Sequence, residues 1–108
     1  MKYKGRWQIY EMEMWDADYF NEEVQAYISI GKDGSGEFHF GYVYCELDGK
    51  VVNYPGGERF EFSFDGNDEN DPVNGCGWLN LKDSETLEGE FRFHMGDDST
   101  FLAKRAAK

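Results

Sequence analysis

The residues with the most conspicuous capacity for chemistry are the carboxylates and amides of Asp65-Gly66-Asn67-Asp68-Glu69-Asn70-Asp71. Calcium takes oxygen ligands, and Asp65, Asn67, Glu69 and Asp71 offer one at every second position, as the loop of an EF-hand does. The match ends there. The sixth position is Asn70 where that loop needs glycine, the twelfth is Cys76 where it needs a bidentate glutamate, and no helix is expected on either side. The run reads as part of a solvated ten-residue loop, Asp65 to Asn74, whose Asp and Asn side chains bond nearby backbone. A partner contact through Asp68, Glu69 and Asp71 is its functional alternative.

Other chemistries find less support. Cys45, Cys76, His39 and His94 are zinc-ligand types, but no two are spaced as a knuckle, and both histidines sit opposite phenylalanine-bearing faces, toward water. Neither cysteine has a histidine neighbour in sequence, and no serine sits in a nucleophile elbow. With 22 acidic residues, accidental carboxylate pairs are inevitable and identify no acid–base couple. No catalytic residue, metal or cofactor is expected.

The aromatic residues divide more usefully. Phe38, Phe40, Phe60, Phe62, Phe64, Phe91 and Phe93 alternate with polar residues and belong in a core. Tyr10, Tyr27, Tyr42, Tyr44, Tyr54 and Trp78 carry a polar handle suited to a pocket or interaction surface. Tyr10, Tyr42, Tyr44 and Trp78 join Asp68, Glu69 and Asp71 as the candidate ligand or partner contacts.

Charge narrows the partner class. The net charge is −11, and all 22 acids lie between Trp7 and Ala103, beside only Lys32, Lys50, Arg59, Lys82 and Arg92. Such a body repels nucleic acid backbones and anionic membranes. The aromatic content of 18% separates the chain from disordered acidic segments. An apolar signal segment is lacking, as is any run of ~18 apolar residues able to span a bilayer. Two cysteines without a secretory signal read as buried thiols in a reducing, cytoplasmic setting.

The elements that must position these residues are strands. Apolar alternation near period two marks Gly5–Trp15, Val24–Ile30, Phe38–Cys45, Lys50–Tyr54, Phe60–Phe64, Gly75–Lys82, Leu87–Met95 and Thr100–Arg105. In the first run Trp7 and Ile9 share one face and Tyr10, Met12 and Met14 the other, and this change of apolar parity predicts a bulge or strong twist. Asp16–Glu22 is polar, with a short helical turn as one option. Lys32–Gly36 and Asp48-Gly49 read as tight turns. Tyr42 and Tyr44 fall on the face of Phe38 and Phe40, opposite His39 and Cys45. About eight strands with short connections make an all-β antiparallel up-and-down meander over one domain, residues 1–108, and closure into a small barrel removes the edges.

Gly5-Arg6-Trp7 at the start of the first strand, with Arg105 near the end of the last, resembles the calycin (lipocalin-like) pattern. There a Gly-x-Trp opens the first strand and a basic residue from the last lies across the indole. The resemblance implies a closed barrel, with Gly5, Trp7 and Arg105 structural. The chain also resembles small bacterial proteins of unassigned function, through Trp15–Phe20, Gly36–Gly41, Gly66–Asp71, Gly75–Trp78, Gly89–Phe91 and Phe101–Ala103. That likeness implies a bacterial origin and a shared fold, and carries no activity to transfer.

If the first and last strands pair, Lys2, Lys4 and Arg6 approach Lys104, Arg105 and Lys108, giving a basic end to an acidic barrel suited to self-association or anion binding. The expectation overall is a non-enzymatic acidic binding protein recognising a protein partner. A carrier of a small apolar ligand inside the barrel is the alternative, and a small barrel enzyme the remote one.

Overall fold

A computed structural model describes residues 1–106. The chain runs through β1 (Gly5–Met12), α1 (Ala17–Phe20), β2 (Tyr27–Ile30), β3 (Ser35–Phe40), β4 (Val43–Tyr54), β5 (Gly57–Asp68), β6 (Asp71–Leu81), β7 (Thr86–Phe93) and β8 (Asp98–Arg105). Each strand pairs antiparallel with the next, and β8 returns to β1, so the sheet closes as an eight-stranded meander barrel. This is the all-β architecture that the alternation and the calycin resemblance predict. Lys108, expected at the basic end, lies outside the described residues.

The predicted bulge is present. The β1–β8 register shifts between Ile9 and Glu11, so Ile9 and Met12 both point inward while Tyr10 is exposed. The grouping of Tyr10 and Met12 on one face is corrected accordingly. β1 also stops at Met12, short of Trp15, and β2 begins at Tyr27 rather than Val24.

Two larger corrections concern turns. Asp48-Gly49 is no hairpin: it lies inside the twelve-residue β4, where Asp48 pairs with Ser63 and Gly49 with Phe62. The hairpin sits earlier, at Gly41-Tyr42, where Phe40 pairs with Val43 and Gly41 takes φ +55° in a two-residue turn. The strand expected to run through Cys45 therefore ends at Phe40, and parity restarts after the turn. Val43 and Cys45 become interior residues, and Tyr44 faces out. Likewise Asp65–Asn74 is no loop: β5 and β6 continue through it and turn only at Glu69-Asn70, with Asp68 paired to Asp71.

The interior is a stack of rings. Phe91 packs 4.3 Å from Phe38, 4.4 Å from Phe101 and 5.4 Å from Phe40, with Phe62 and Phe64 meeting it edge-on. So many large side chains fit a narrow barrel because glycines lie beside them. A Cβ at Gly75 would come within 2.7 Å of the Phe64 ring, and one at Gly77 within 2.6 Å of Phe62 or at Gly89 within 2.6 Å of Phe101. Small barrels are filled by this alternation of small and large residues. Gly49 serves the same end against Phe60, which is why the Asp-Gly pair remains in a strand. Cys45 is fully buried among these residues, and burial pushes its thiol up to about 12; Cys76 is exposed, so the expectation of two buried thiols holds for only one.

One end of the barrel is closed by the predicted tryptophan–arginine pair. Trp7 is buried and donates its indole N–H to the Tyr3 carbonyl at 2.9 Å, while the Arg105 guanidinium lies 3.9 Å over its ring. Arg105 also donates to the carbonyls of Lys4 (2.6 Å), Lys2 (3.0 Å) and Ser84 (3.3 Å). Gly5 has φ +125°, and a Cβ there would stand 2.7 Å from Arg105 Nη1. Glycine is required on both counts.

Candidate functional site

The opposite end is built by the connection from β1 to β2 and by the turns at Gly41-Tyr42, Glu69-Asn70 and His94–Asp97. Beyond β1, Glu13 N–H donates to the Thr100 carbonyl and Met14 N–H to Ser99 Oγ at 3.1 Å, so the main chain is held when it presents Trp15. Ser99 is the buried polar residue of this end, and its hydroxyl in turn donates to the Thr100 carbonyl. Asp16 then caps α1 by accepting from Tyr19 N–H at 3.2 Å, and Asn21 accepts from Ala26 N–H at 2.8 Å. Phe20 is buried at the mouth, and its carbonyl accepts from Gly41 N–H.

This scaffold holds three half-buried aromatics together. Trp15 lies 5.2 Å from Phe40 beneath it, 6.1 Å from Tyr19, and 6.5 Å from Phe93 in an edge-on arrangement of 85°. Tyr19 is fixed against the Gly41 backbone, where a Cβ would come within 2.5 Å of its ring. With Val43, Val73 and the carboxylates Asp68 and Asp97, these rings line a half-open pit of about 290 Å³. Burial, followed by the charge of Asp68, pushes the Tyr19 hydroxyl above the usual tyrosine range, against a hydrogen bond with the Tyr42 backbone.

The charge around the pit is of one sign. The segments 13–24, 41–42, 67–74 and 94–98 that form this end carry ten carboxylates and neither lysine nor arginine. Asp68 and Asp71 stand directly opposite across the turn. Glu69 between them takes φ +54°, the left-handed region in which a side chain is strained. Among the described residues no three of His, Cys, Asp and Glu converge to hold a metal ion. What the arrangement can do is attract a cation and offer it aromatic walls.

The residues singled out from sequence do not converge on one place. Asp68, Glu69 and Asp71 reach this end, and Tyr42 stands beside it, its ring edge-on to Tyr19 at 6.2 Å and its hydroxyl donating to Glu22 at 3.3 Å. Tyr10 lies on the outer wall, exposed, with the Lys104 ammonium 5.8 Å from its ring. Tyr44 is also on the outer wall, donating to Glu37 at 3.2 Å in a network with Tyr27, whose hydroxyl burial and Glu37 push up to about 12. His39 faces outward too, paired with Glu23 at 3.1 Å. Trp15, Tyr19, Phe93 and Asp97 were not singled out as contacts. The available signal was the interleaving of aromatics and acids in Trp15-Asp16-Ala17-Asp18-Tyr19-Phe20.

Trp78 belongs to a larger hollow, about 670 Å³, along the outside of β4–β7. Its indole donates to Glu90 at 3.0 Å, and Arg59 lies between the rings of Tyr54 (5.1 Å) and Trp78 (5.2 Å) while bonding Glu61 at 2.9 Å. Arg92 is close to Asp98. Four polar side chains of this hollow are already bonded in pairs, Arg59 to Glu61 and Trp78 to Glu90, so much of its wall is braced rather than assembled around a vacant centre. The smaller pit is the better candidate because, among the described residues, Asp68 and Asp97 form no ion pair with a basic side chain.

Among the described residues no helix is long and apolar enough to cross a membrane. No known protein family, curated protein or solved structure matches the chain.

Proposed function

We propose that this chain is a non-enzymatic acidic binding protein whose partner is a basic protein, docked on the carboxylate-rich end of the barrel. The observation that carries this reading is the one-sided charge of the open end: its segments hold ten carboxylates and no lysine or arginine, whereas at the other end Lys2, Lys4, Lys82 and Arg105 stand among Glu58, Asp83 and Glu85. Single-sign surfaces of this kind accelerate encounter with an oppositely charged partner and reject like-charged ones. The ring-packed interior favours a surface interaction over carriage of an apolar ligand within the barrel. A second copy offering its basic end is a poorer partner, because each copy carries a net charge of −11.

The finer assignments rest on particular features. The stacking of Arg105 on Trp7 behind Gly5 supports grouping the barrel with the calycins, and the free thiols of Cys45 and Cys76 support a reducing, cytoplasmic setting. The bacterial origin rests on sequence likeness alone.

The reading is tested with an arginine- and lysine-rich peptide at low salt. Neutralising Asp68, Glu69, Asp71 and Asp97 to their amides is expected to weaken binding on the order of a hundredfold or more, chiefly through slower association. Neutralising Glu37, Glu46, Asp65 and Glu88 on the outer wall removes the same charge and is expected to matter much less. Equal losses from the two sets, or no binding by the unmodified protein, would overturn the proposal.

A further inference from the structure

We infer that the aromatic pit receives a single arginine side chain of the partner, its guanidinium held against the Trp15 ring and hydrogen-bonded by Asp68 and Asp97. This rests on reading the acidic end as the docking surface, and adds to it a specific occupant.

The chemistry of the walls argues for a cation that also has a flat, apolar face. Trp15, Tyr19 and Phe93 present ring surface and ring edge, which a fully hydrated ion does not use, while the rim carboxylates repel an anionic guest and give a cation an advantage over an uncharged one. A cation placed over an indole gains from the ring quadrupole, most strongly for tryptophan among the aromatic residues. Guanidinium is more weakly hydrated than ammonium, is planar, and donates in a fork that suits paired carboxylates. It therefore enters a half-open aromatic pit at lower desolvation cost than a lysine ammonium.

The pit is also ready-made. Tyr19 is fixed on Gly41, Trp15 is anchored through Met14 and Ser99, and Phe93 packs 5.1 Å from Phe64 in the core, so little ordering is required on binding. Among the described residues the Trp15 indole N–H has no protein acceptor, whereas those of Trp7 and Trp78 are engaged by Tyr3 and Glu90. The molecule itself displays the same chemistry elsewhere, with Arg105 stacked on Trp7 at 3.9 Å.

The three indole groups make the test specific. Titrating the ¹⁵N-labelled protein with N-acetyl-arginine methylamide is expected to move the Trp15 indole resonance saturably and leave those of Trp7 and Trp78 in place. The lysine analogue is expected to bind several-fold more weakly, and Asp97→Asn, an exposed change that leaves the fold intact, to weaken the arginine probe on the order of threefold to tenfold. An unmoved Trp15 resonance, or parallel shifts in all three indoles, would exclude the pit as the receptor. Equal or tighter binding of the lysine probe would exclude arginine as its occupant. Neither result touches charge-dependent binding of a long basic peptide to the acidic end, so this inference and the broader proposal fail separately.

Discussion

The two ends of the barrel use the same side-chain types to opposite effect. At one, Trp7 is buried, its indole N–H is bonded to Tyr3, and the guanidinium over it is supplied by the chain's own Arg105. At the other, Trp15 is half-buried between Tyr19 and Phe93, faces Asp68 and Asp97, and has no cation over it among the described residues. The first end is internally complete and holds the fold closed. The second is held by Ser99, Asp16 and Asn21, but Asp68 and Asp97 at its pit form no ion pair among the described residues. That difference separates a structural use of tryptophan and arginine from one that awaits a partner.

The sharpest way to break the comparison is to truncate each tryptophan. Trp7→Leu removes a fully buried ring, a hydrogen bond and the platform under Arg105, and is expected to cost about 3–5 kcal/mol in urea denaturation. Trp15→Leu is expected to cost about 1 kcal/mol, because its ring is partly in water already, while abolishing the response to the arginine probe. Equal stability losses would mean that Trp15 is simply part of the core.

Arg105 comes next in size. Arg105→Met keeps the stem over Trp7 but loses donations to three carbonyls, for an expected loss of about 2–3 kcal/mol. Gly5→Ala is expected to cost about 2 kcal/mol, part from its positive φ and part from displacing the guanidinium. The double variant discriminates between these causes. If the Cβ acts through Arg105, the two losses sum to more than the double variant shows; strict additivity would leave backbone strain as the whole effect.

The closed end was legible in sequence and the open end was not, for physical reasons. Phe60, Phe62 and Phe64 alternate without interruption, so the barrel could be placed from the pattern, and its lock of Gly5, Trp7 and Arg105 from the calycin resemblance. The pit draws on Trp15, Tyr19, Asp68, Phe93 and Asp97, which only the folded topology unites. Phe93 reads as core from its alternation with Phe91, which is half of its role. Asp65–Asn74 reads as a loop because its inward positions near the barrel mouth include Gly66 and Asp68, leaving Val73 as the apolar signal. The Asp48-Gly49 signal is genuine local turn chemistry, overridden because Phe60 needs a glycine beside it. Displacing that turn to Gly41-Tyr42 conserves the number of strands while reassigning Tyr44 and Cys45 to opposite faces.

A smaller effect comes from the unpaired charge. Asp68 and Asp71 face one another, and like charges directly opposite in a sheet destabilise it. Asp68→Asn is expected to raise stability by about 0.5 kcal/mol at low salt, with the gain shrinking as salt screens the pair. A loss of stability instead would show that the carboxylate is structurally required and would weaken the case that the open end keeps it for binding.

The smallest effect expected is a difference between two tyrosines, one at each end. Tyr3, packed 5.7 Å from Phe60 near the closed end, and Tyr19, in the pit, both have hydroxyls raised above the ordinary tyrosine value of 10.0, in each case mainly by burial. A raised value here means that the folded state prefers the neutral phenol. The associated stability is fully present below pH 10 and is lost as pH rises through each folded value. The secondary causes differ. A backbone hydrogen bond opposes the shift at both, to Tyr42 at Tyr19 and to Leu81 at Tyr3, but at Tyr19 the charge of Asp68 outweighs it and Glu69 adds further, whereas at Tyr3 the charge of Glu58 is the smallest contribution. Salt screens charges near water more than it alters burial. Raising ionic strength, or making Asp68→Asn, should therefore lower the Tyr19 titration point more than that of Tyr3 when each is followed by NMR of the ring resonances. Identical shifts at the two residues would show that the carboxylates of the open end exert no local field on the pit, and the electrostatic contrast between the ends would lose its basis.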